Sequence, residues 1–347
     1  MNGLPEYDAA NDPHPTQASG AENTESSPNP EAAQGWRPDD YPVTTPSAVN
    51  EYPFPDSSHT QHPPAPERPM FESWYQPPQV RIPHLGHLAI LGVFAIFGMV
   101  GALVPFWVGL RFHWFGVTSL KAAATDIHYT LGSEAVLYLV MLGACMLFFP
   151  MIWNKGFFAG IQWNGATALR LRQQLFLTAA VCFALALVNG LLLPGPKDAP
   201  IDKIFRTPGA AWLLFGFGVT IAPFAEELIF RGFLLPALCT ACDWINEKTK
   251  GVPVRPLDEN GQPQWSLGAM VIGSVATSVP FAAMHAAQTG YAFGPFILLV
   301  GVSLALCWAR LSTRSLASSV LVHASYNFLL FALMMLGTGG FRHLDKM

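Results

Sequence analysis

Residues 222–236 read APFAEELIFRGFLLP, which places two adjacent glutamates and an arginine inside an apolar run long enough to form a membrane span. An ionisable side chain costs about 2.5–3.5 kcal/mol at the centre of a bilayer, so we expect Glu226, Glu227 and Arg231 to face a protein interior. Glu227 and Arg231 are four residues apart and can pair on one face of a helix, whereas Glu226 points roughly 100° away. Glu226 is therefore the carboxylate left free for chemistry.

The composition around this stretch is that of a membrane protein. Of the 347 residues, 51% are hydrophobic and only 12% are charged. Charged residues would make up about 25% of an ordinary soluble domain. No basic region is strong enough to suggest nucleic acid as a partner, and we expect the lipid bilayer to surround most of the chain.

The chain divides into two parts of opposite charge. Residues 1–80 contain 16 of the 30 prolines and carry 12 acidic groups against two basic ones. Such a segment cannot bury enough apolar surface to offset its chain entropy, so we predict a disordered, acidic, proline-rich tail. Residues 81–347 are net positive and form the predicted multi-pass transmembrane catalytic domain.

Apolar stretches predict an all-α fold of about seven transmembrane helices, with six to eight as the range. A span needs about 20 apolar residues. The seven predicted spans cover residues 88–110, 135–153, 175–193, 210–242, 267–286, 291–309 and 316–336.

Three details qualify this pattern. Glu134 lies at the mouth of the second span, and residues 155–174 mix aromatic and basic side chains as an interfacial segment does. The fourth stretch exceeds the length of one span and contains Pro223, so a broken or kinked helix is expected there. We predict that the spans surround a buried catalytic cavity.

The distribution of basic residues gives a small preference for orientation. With a cytoplasmic N-terminus, nine lysines and arginines of the body fall on the inner side and seven on the outer side. We therefore expect the N-terminus to lie in the cytoplasm. The protein as a whole is expected to be a multi-pass protein of a bacterial plasma membrane.

Two histidines lie in the predicted spans together with a partner at helical spacing. His285 follows Phe281 by four residues, and His323 precedes Asn327 by four, so each pair shares a helix face. A carboxylate, two imidazoles and an amide around one cavity are the groups that amide hydrolysis needs, namely a base for water, donors for the oxyanion and a proton source.

These three motifs, EELIFR (226–231), FAAMH (281–285) and HASYN (323–327), occur in the order and spacing of a known family. The chain resembles the intramembrane proteases that include the type II CAAX prenyl endopeptidases and the bacteriocin-processing and immunity proteins (the CPBP, or Abi-like, family). The resemblance covers roughly residues 205–330.

The resemblance implies a role for each motif residue. Glu226 corresponds to the base that activates water, and His285 to the residue that holds and polarises this water. Glu227 and Arg231 correspond to its support, and Phe281 to a packing residue of the pocket. His323 and Asn327 correspond to the pair that stabilises the oxyanion. The implied substrate is a membrane-anchored protein or peptide, which is either CAAX-like or another membrane-associated chain.

The family is commonly classed as metalloproteases, but the residues favour no cofactor. The amide of Asn327 is a poor zinc ligand and a good oxyanion donor. With His323 as the second donor, Glu226 and His285 remain, which are fewer than the three protein ligands usual in catalytic zinc sites. If a metal is bound, we expect zinc, with Glu226, His285 and His323 as ligands.

Two other functions remain open at the level of sequence. Buried glutamates and histidines also relay protons in transporters, although no repeated halves are visible. A catalytically idle family member that acts as a scaffold or immunity factor would keep the same motifs.

Overall fold

The computed structural model describes residues 80–193 and 209–341. Residues 1–79 of the predicted tail lie outside this range, so the prediction of disorder stays a prediction. Within the described residues the secondary structure is entirely helical, with no strand.

Twelve α-helices, a short 3-10 helix at Trp114–Gly116 and a π-helical segment make up the described chain. The α-helices are α1 (Leu85–Arg111), α2 (Leu120–Ala123), α3 (Ile127–Trp153), α4 (Phe157–Gly160), α5 (Gly165–Arg170), α6 (Arg172–Leu192), α7 (Ala210–Val219), α8 (Ile221–Glu227), α9 (Leu235–Lys250), α10 (Leu267–Met284), α11 (Phe293–Thr313) and α12 (Leu316–Gly337). The π-helical segment, Leu228–Leu234, joins α8 to α9.

Seven helical segments of the described residues are long and apolar enough to cross a membrane. Six are single helices, and the seventh is the composite Ala210–Lys250, which joins α7, α8, the π-helical segment and α9. Large apolar side chains such as Trp107, Leu147 and Leu191 are exposed on the outer helices. In water such a surface would be unfavourable, whereas lipid accommodates it. The predicted all-α, multi-pass membrane fold is confirmed.

The helix bounds differ most from the sequence prediction in two places. The helix of the second span begins at Ile127 rather than at residue 135, because the side chain of Asp126 accepts hydrogen bonds from the backbone N–H groups of His128 and Tyr129 and caps it. The fourth stretch continues to Lys250, since α9 remains helical after its apolar part has ended. Hydropathy locates the apolar part of a helix but not its polar ends.

α1 and α3 form an antiparallel pair that approaches closely at a glycine. A Cβ atom on Gly98 would lie only 2.7 Å from the carbonyl oxygen of Leu137. Small residues at such points allow helix backbones to touch in membranes. This contact fixes the position of the middle of α3, one turn beyond Glu134.

The segment with α4 and α5 packs against other helices of the protein, and its predicted interfacial position stays a prediction. Ile161 is fully buried, and the carbonyl of Gln162 accepts a hydrogen bond (3.0 Å) from the backbone N–H of Leu316 at the start of α12. The hydroxyl of Ser315 donates to the carbonyl of Asn164 (2.8 Å). The segment therefore holds the beginning of α12, the helix that carries the HASYN motif.

Candidate active site

The composite fourth span is broken beside the candidate glutamates. α7 ends at Val219, and Thr220 has the non-helical dihedral angles φ −120° and ψ −74°. Pro223 explains the break, because its ring would clash with the carbonyl of Val219 in a continuous helix and it has no N–H to donate. The predicted broken helix is confirmed, and α8 starts afresh one turn before Glu226.

The second irregularity follows directly after the glutamates. Residues 228–234 form a π-helix, in which the chain takes more than four residues per turn. Arg231 lies within it and its carbonyl accepts a hydrogen bond (3.2 Å) from Nε of Arg310 on α11. The wider turn thus has a donor from a neighbouring helix to stabilise it.

Glu227 and Arg231 form a buried ion pair, as the sequence predicted. Arg231 Nη1 donates to Glu227 Oε1 at 2.8 Å, and neither side chain is exposed to solvent. Arg231 Nη2 also donates to the carbonyl (3.0 Å) and hydroxyl (2.6 Å) oxygens of Ser303. These contacts tie the π-helical segment to α11.

His323 joins this pair from α12. Its Nδ1 lies 3.0 Å from Glu227 Oε1. A carboxylate paired with an arginine only accepts hydrogen bonds, so Nδ1 is the donor. In the neutral imidazole the other nitrogen, Nε2, then carries a lone pair.

His285 has the same arrangement through a different partner. It lies at the C-terminal end of α10, directly after Met284, rather than inside the helix as the sequence suggested. Its Nδ1 lies 2.9 Å from the carbonyl oxygen of Phe281, which can only accept. The Nε2 of His285 is therefore also free to accept a hydrogen bond.

The two free imidazole nitrogens meet at Glu226. Nε2 of His285 and Nε2 of His323 each lie 3.8 Å from Glu226 Oε2. This oxygen is buried and has no hydrogen-bond partner among the described residues. An unsatisfied buried carboxylate oxygen is costly unless water or substrate fills the gap.

Asn327 is held at the break between α7 and α8. Its side-chain NH₂ donates to the carbonyl oxygen of Gly218 at 2.7 Å, so one of its two N–H groups is used there. The second N–H is left for a ligand. The break thus positions the amide, a role that the sequence did not reveal.

Phe281 packs between the charged pair and the histidines. Its ring lies 4.5 Å from the guanidinium carbon of Arg231, and its ring centroid is 5.0 Å from that of His285 and 5.8 Å from that of His323. The ring separates the buried ion pair from the pocket, in agreement with the expected packing role.

A cavity of about 890 Å³ brings five of the seven predicted site residues together. These are Glu226, Phe281, His285, His323 and Asn327. Glu227 and Arg231 do not line it and lie behind it. Glu134 of α3 also lines this cavity, although the sequence gave it no role. Its only signal was a carboxylate at the mouth of an apolar span.

Three atoms at the site are of the kinds that bind metal ions. The Nε2 atoms of His285 and His323 and the oxygen of Glu226 are atoms that zinc prefers. However, within residues 80–193 and 209–341 no group of three or more His, Cys, Asp or Glu side chains is arranged to hold a metal ion.

The groups described above surround one internal cavity of an all-helical membrane fold. Residues 208–329 match the family model described as Type II CAAX prenyl endopeptidase Rce1-like. This stretch contains all three motifs and is thus similar, at family level, to the CAAX-type intramembrane proteases. No curated protein and no solved structure matches the chain significantly.

Proposed function

We propose that the protein is an intramembrane endopeptidase that hydrolyses a peptide bond of a membrane-anchored, or CAAX-like, protein or peptide. The observation that carries the proposal is the unpartnered Oε2 of Glu226, faced by the Nε2 atoms of two histidines. A water molecule can bridge atoms 3.8 Å apart with ordinary hydrogen bonds.

In the first step Glu226 acts as the base. Its free oxygen takes a proton from this water while Nε2 of His285 accepts a hydrogen bond from the other water hydrogen and orients the oxygen lone pair. The water oxygen forms a bond to the carbonyl carbon of the scissile peptide, and the carbonyl π electrons move to the oxygen. The product is a tetrahedral oxyanion.

The oxyanion is stabilised by Asn327 and His323. The second N–H of the Asn327 amide is available as a donor. His323 can donate from Nε2 only as an imidazolium, because its Nδ1–H is bound to Glu227. Glu227 Oε1, which also accepts from Arg231, fixes the position of this ring.

Collapse of the intermediate breaks the C–N bond. The leaving nitrogen takes the proton that Glu226 received from the water, which restores the carboxylate. Water is thereby divided between the two products, the new carboxyl group and the new amine.

The classification as a glutamate-dependent enzyme, the plasma-membrane location and the cytoplasmic N-terminus are parts of this proposal. One side of the cavity is lined by the beginning of α3 and the ends of α10 and α12. If the helices cross the membrane alternately, this side lies opposite the beginning of α1. The orientation of the chain then decides from which side a substrate enters.

A cleavage assay tests the proposal. Purified full-length protein in lipid nanodiscs is incubated with a library of membrane-anchored peptides, and products are identified by mass spectrometry. We expect cleavage by the wild-type protein and none by Glu226→Gln. Absence of cleavage by both proteins, or equal cleavage by both, would contradict the proposal and favour an idle scaffold or a proton-coupled transporter.

A further inference from the structure

Glu134 is a second carboxylate in the cavity and is not explained by the proposed chemistry. It lies in α3, outside residues 208–329 that match the family model and outside the three motifs. It nevertheless lines the same cavity as Glu226.

The side chain of Glu134 is held in place. The hydroxyl of Tyr138, one helical turn further along α3, donates to Glu134 Oε1 at 2.7 Å. The ring of Tyr138 lies parallel to that of Phe217 on α7, with the centroids 6.2 Å apart. Glu134 therefore cannot extend freely to the membrane surface, and among the described residues nothing donates a hydrogen bond to its Oε2.

The hydrogen bond to Tyr138 does not account for the negative charge. A glutamine at position 134 would accept the same bond without the cost of a carboxylate at this depth in a span. Carboxylates in membrane helices usually face a functional cavity, and Glu134 faces the cavity that contains Glu226. The charge itself needs a partner.

The described lining of the cavity offers Glu134 two imidazoles but no permanently positive side chain. Of the described residues that line it, none is a lysine or an arginine. Arg231 lies behind the wall and is already bound to Glu227 and Ser303. Two carboxylates thus face one space, which attracts a cation and disfavours a carboxylate.

We propose that Glu134 is a specificity-determining residue that binds the ammonium or guanidinium group of a lysine or arginine in the substrate segment close to the scissile bond. The inference rests on the proposed function, because it takes the bound segment to be the substrate on which Glu226 acts. What it states is a binding preference. It identifies the preferred substrate class as membrane segments with a basic residue near the cleaved bond.

Binding measurements test this without relying on cleavage. The probes are fluorescent transmembrane peptides of one sequence in which a single residue is lysine, glutamine or glutamate, moved in turn through the central positions. Binding is measured by fluorescence anisotropy to full-length protein in nanodiscs, with Glu226→Gln as the background so that the peptides stay intact.

We expect the lysine peptide to bind roughly tenfold more tightly than its glutamine counterpart at one or two neighbouring positions, which is typical of a hydrogen bond to a charged group. Glu134→Gln should remove this preference, and Glu134→Lys should reverse it in favour of the glutamate peptide. Glu259→Gln, the same substitution at an exposed loop residue, is the matched control and should leave the preference unchanged.

Equal binding of the three peptides at every position by the background protein would overturn the inference, and this comparison needs no substitution at Glu134. A lysine preference that survives Glu134→Gln would overturn it as well. Cleavage of the same peptides by the protein with Glu226 intact reports separately on the proposed function. A Glu134-dependent preference without cleavage would refute the protease and keep the binding site.

Discussion

Two glutamates adjacent in sequence have opposite surroundings. Glu227 is fully enclosed, with Arg231 and His323 on one of its oxygens, whereas Glu226 lines the cavity with an oxygen that has no partner. Neighbouring residues of a helix point roughly 100° apart, so one faces the helix packing and the other the open space. This division separates the supporting residue from the proposed base.

Substitution of each glutamate by glutamine should give different results. Glu226→Gln keeps the shape and removes the base, so we expect normal abundance in the membrane fraction and loss of cleavage. Glu227→Gln leaves the buried Arg231 without its counter-charge, which costs about 3–5 kcal/mol for such a pair, so abundance should fall too. Immunoblots of membranes and thermal unfolding in nanodiscs measure this.

The two variants control for each other, because the same substitution of glutamate by glutamine is made at neighbouring positions. Equal abundance together with equal residual activity of the two variants would contradict the assignment of roles.

Asn327→Ala should lower kcat by about 10²–10³ with little change in KM, as loss of one oxyanion donor does elsewhere. The substitution also frees the carbonyl of Gly218, so size-exclusion profiles must show that the variant stays folded. Steady-state kinetics on the best library peptide make the measurement. A folded variant with unchanged kcat would rule out the amide as a donor.

Metal content can be measured directly on purified, active protein. We expect less than stoichiometric zinc and activity that persists in chelator, because two protein ligands remain when His323 and Asn327 act as donors. Elemental analysis and activity before and after chelation are the measurements. Stoichiometric zinc, with activity lost on chelation and restored by zinc, would instead make Glu226, His285 and His323 ligands.

At the scale of elements, two departures from α-helical geometry frame the glutamates. The break at Thr220 exposes the Gly218 carbonyl that holds Asn327, and the π-helical segment Leu228–Leu234 begins where α8 ends. Departures of this kind occur often at functional sites. A regular helix uses its interior backbone N–H and carbonyl groups in its own hydrogen bonds, whereas a break leaves some of them free. The geometry of the site therefore depends on irregular backbone.

Pro223→Ala should reduce activity without reducing abundance. With an N–H at position 223, α7 and α8 can join into one helix, which moves Gly218 and Asn327 relative to Glu226. A displacement of about 1 Å can cost as much as 10² in rate, so kcat/KM should fall by roughly 10- to 100-fold. Kinetics in nanodiscs measure it.

Pro105→Ala in α1 is the control for this experiment, since Pro105 also lies inside a helix but is not among the residues that line the cavity. It should leave kcat/KM unchanged. Similar losses in both variants would show that the break at Thr220 has no special role.

At the scale of the whole molecule, polar contacts join loops that are distant in sequence. Arg314 pairs with Asp258 at 2.6 Å, and Gln162 donates to Gln262 at 2.7 Å. These contacts connect the α4–α5 segment, the loop before α10 and the end of α11.

Deletion of residues 2–80 should leave the chemistry intact. The deleted part contains none of the site residues, and Arg81, which pairs with Glu247 at 2.6 Å, is retained. Cleavage by the inserted deletion variant should match that of the full-length protein, with membrane extraction as the control for insertion. A variant that is inserted normally and inactive would give the tail a role in catalysis.

Local patterns were sufficient for the helical class, the seven spans and the pairing of Glu227 with Arg231. Each depends on interactions within about one helical turn or on the length of an apolar run, and both are visible in a single sequence. The family motifs also identified five residues that line one cavity, because their order and spacing are carried by the chain itself.

Long-range packing decided the rest. The link from His323 to Glu227 spans 96 residues and that from Asn327 to Gly218 spans 109. The place of Glu134 in the cavity depends on how α3 packs on α1 and beside α7. No periodicity encodes such contacts, since hydrogen-bond donors and charges find partners according to the arrangement of whole helices. The amino-acid sequence by itself determined which side chains are available for chemistry, and the tertiary structure decided which of their atoms remain free to perform it.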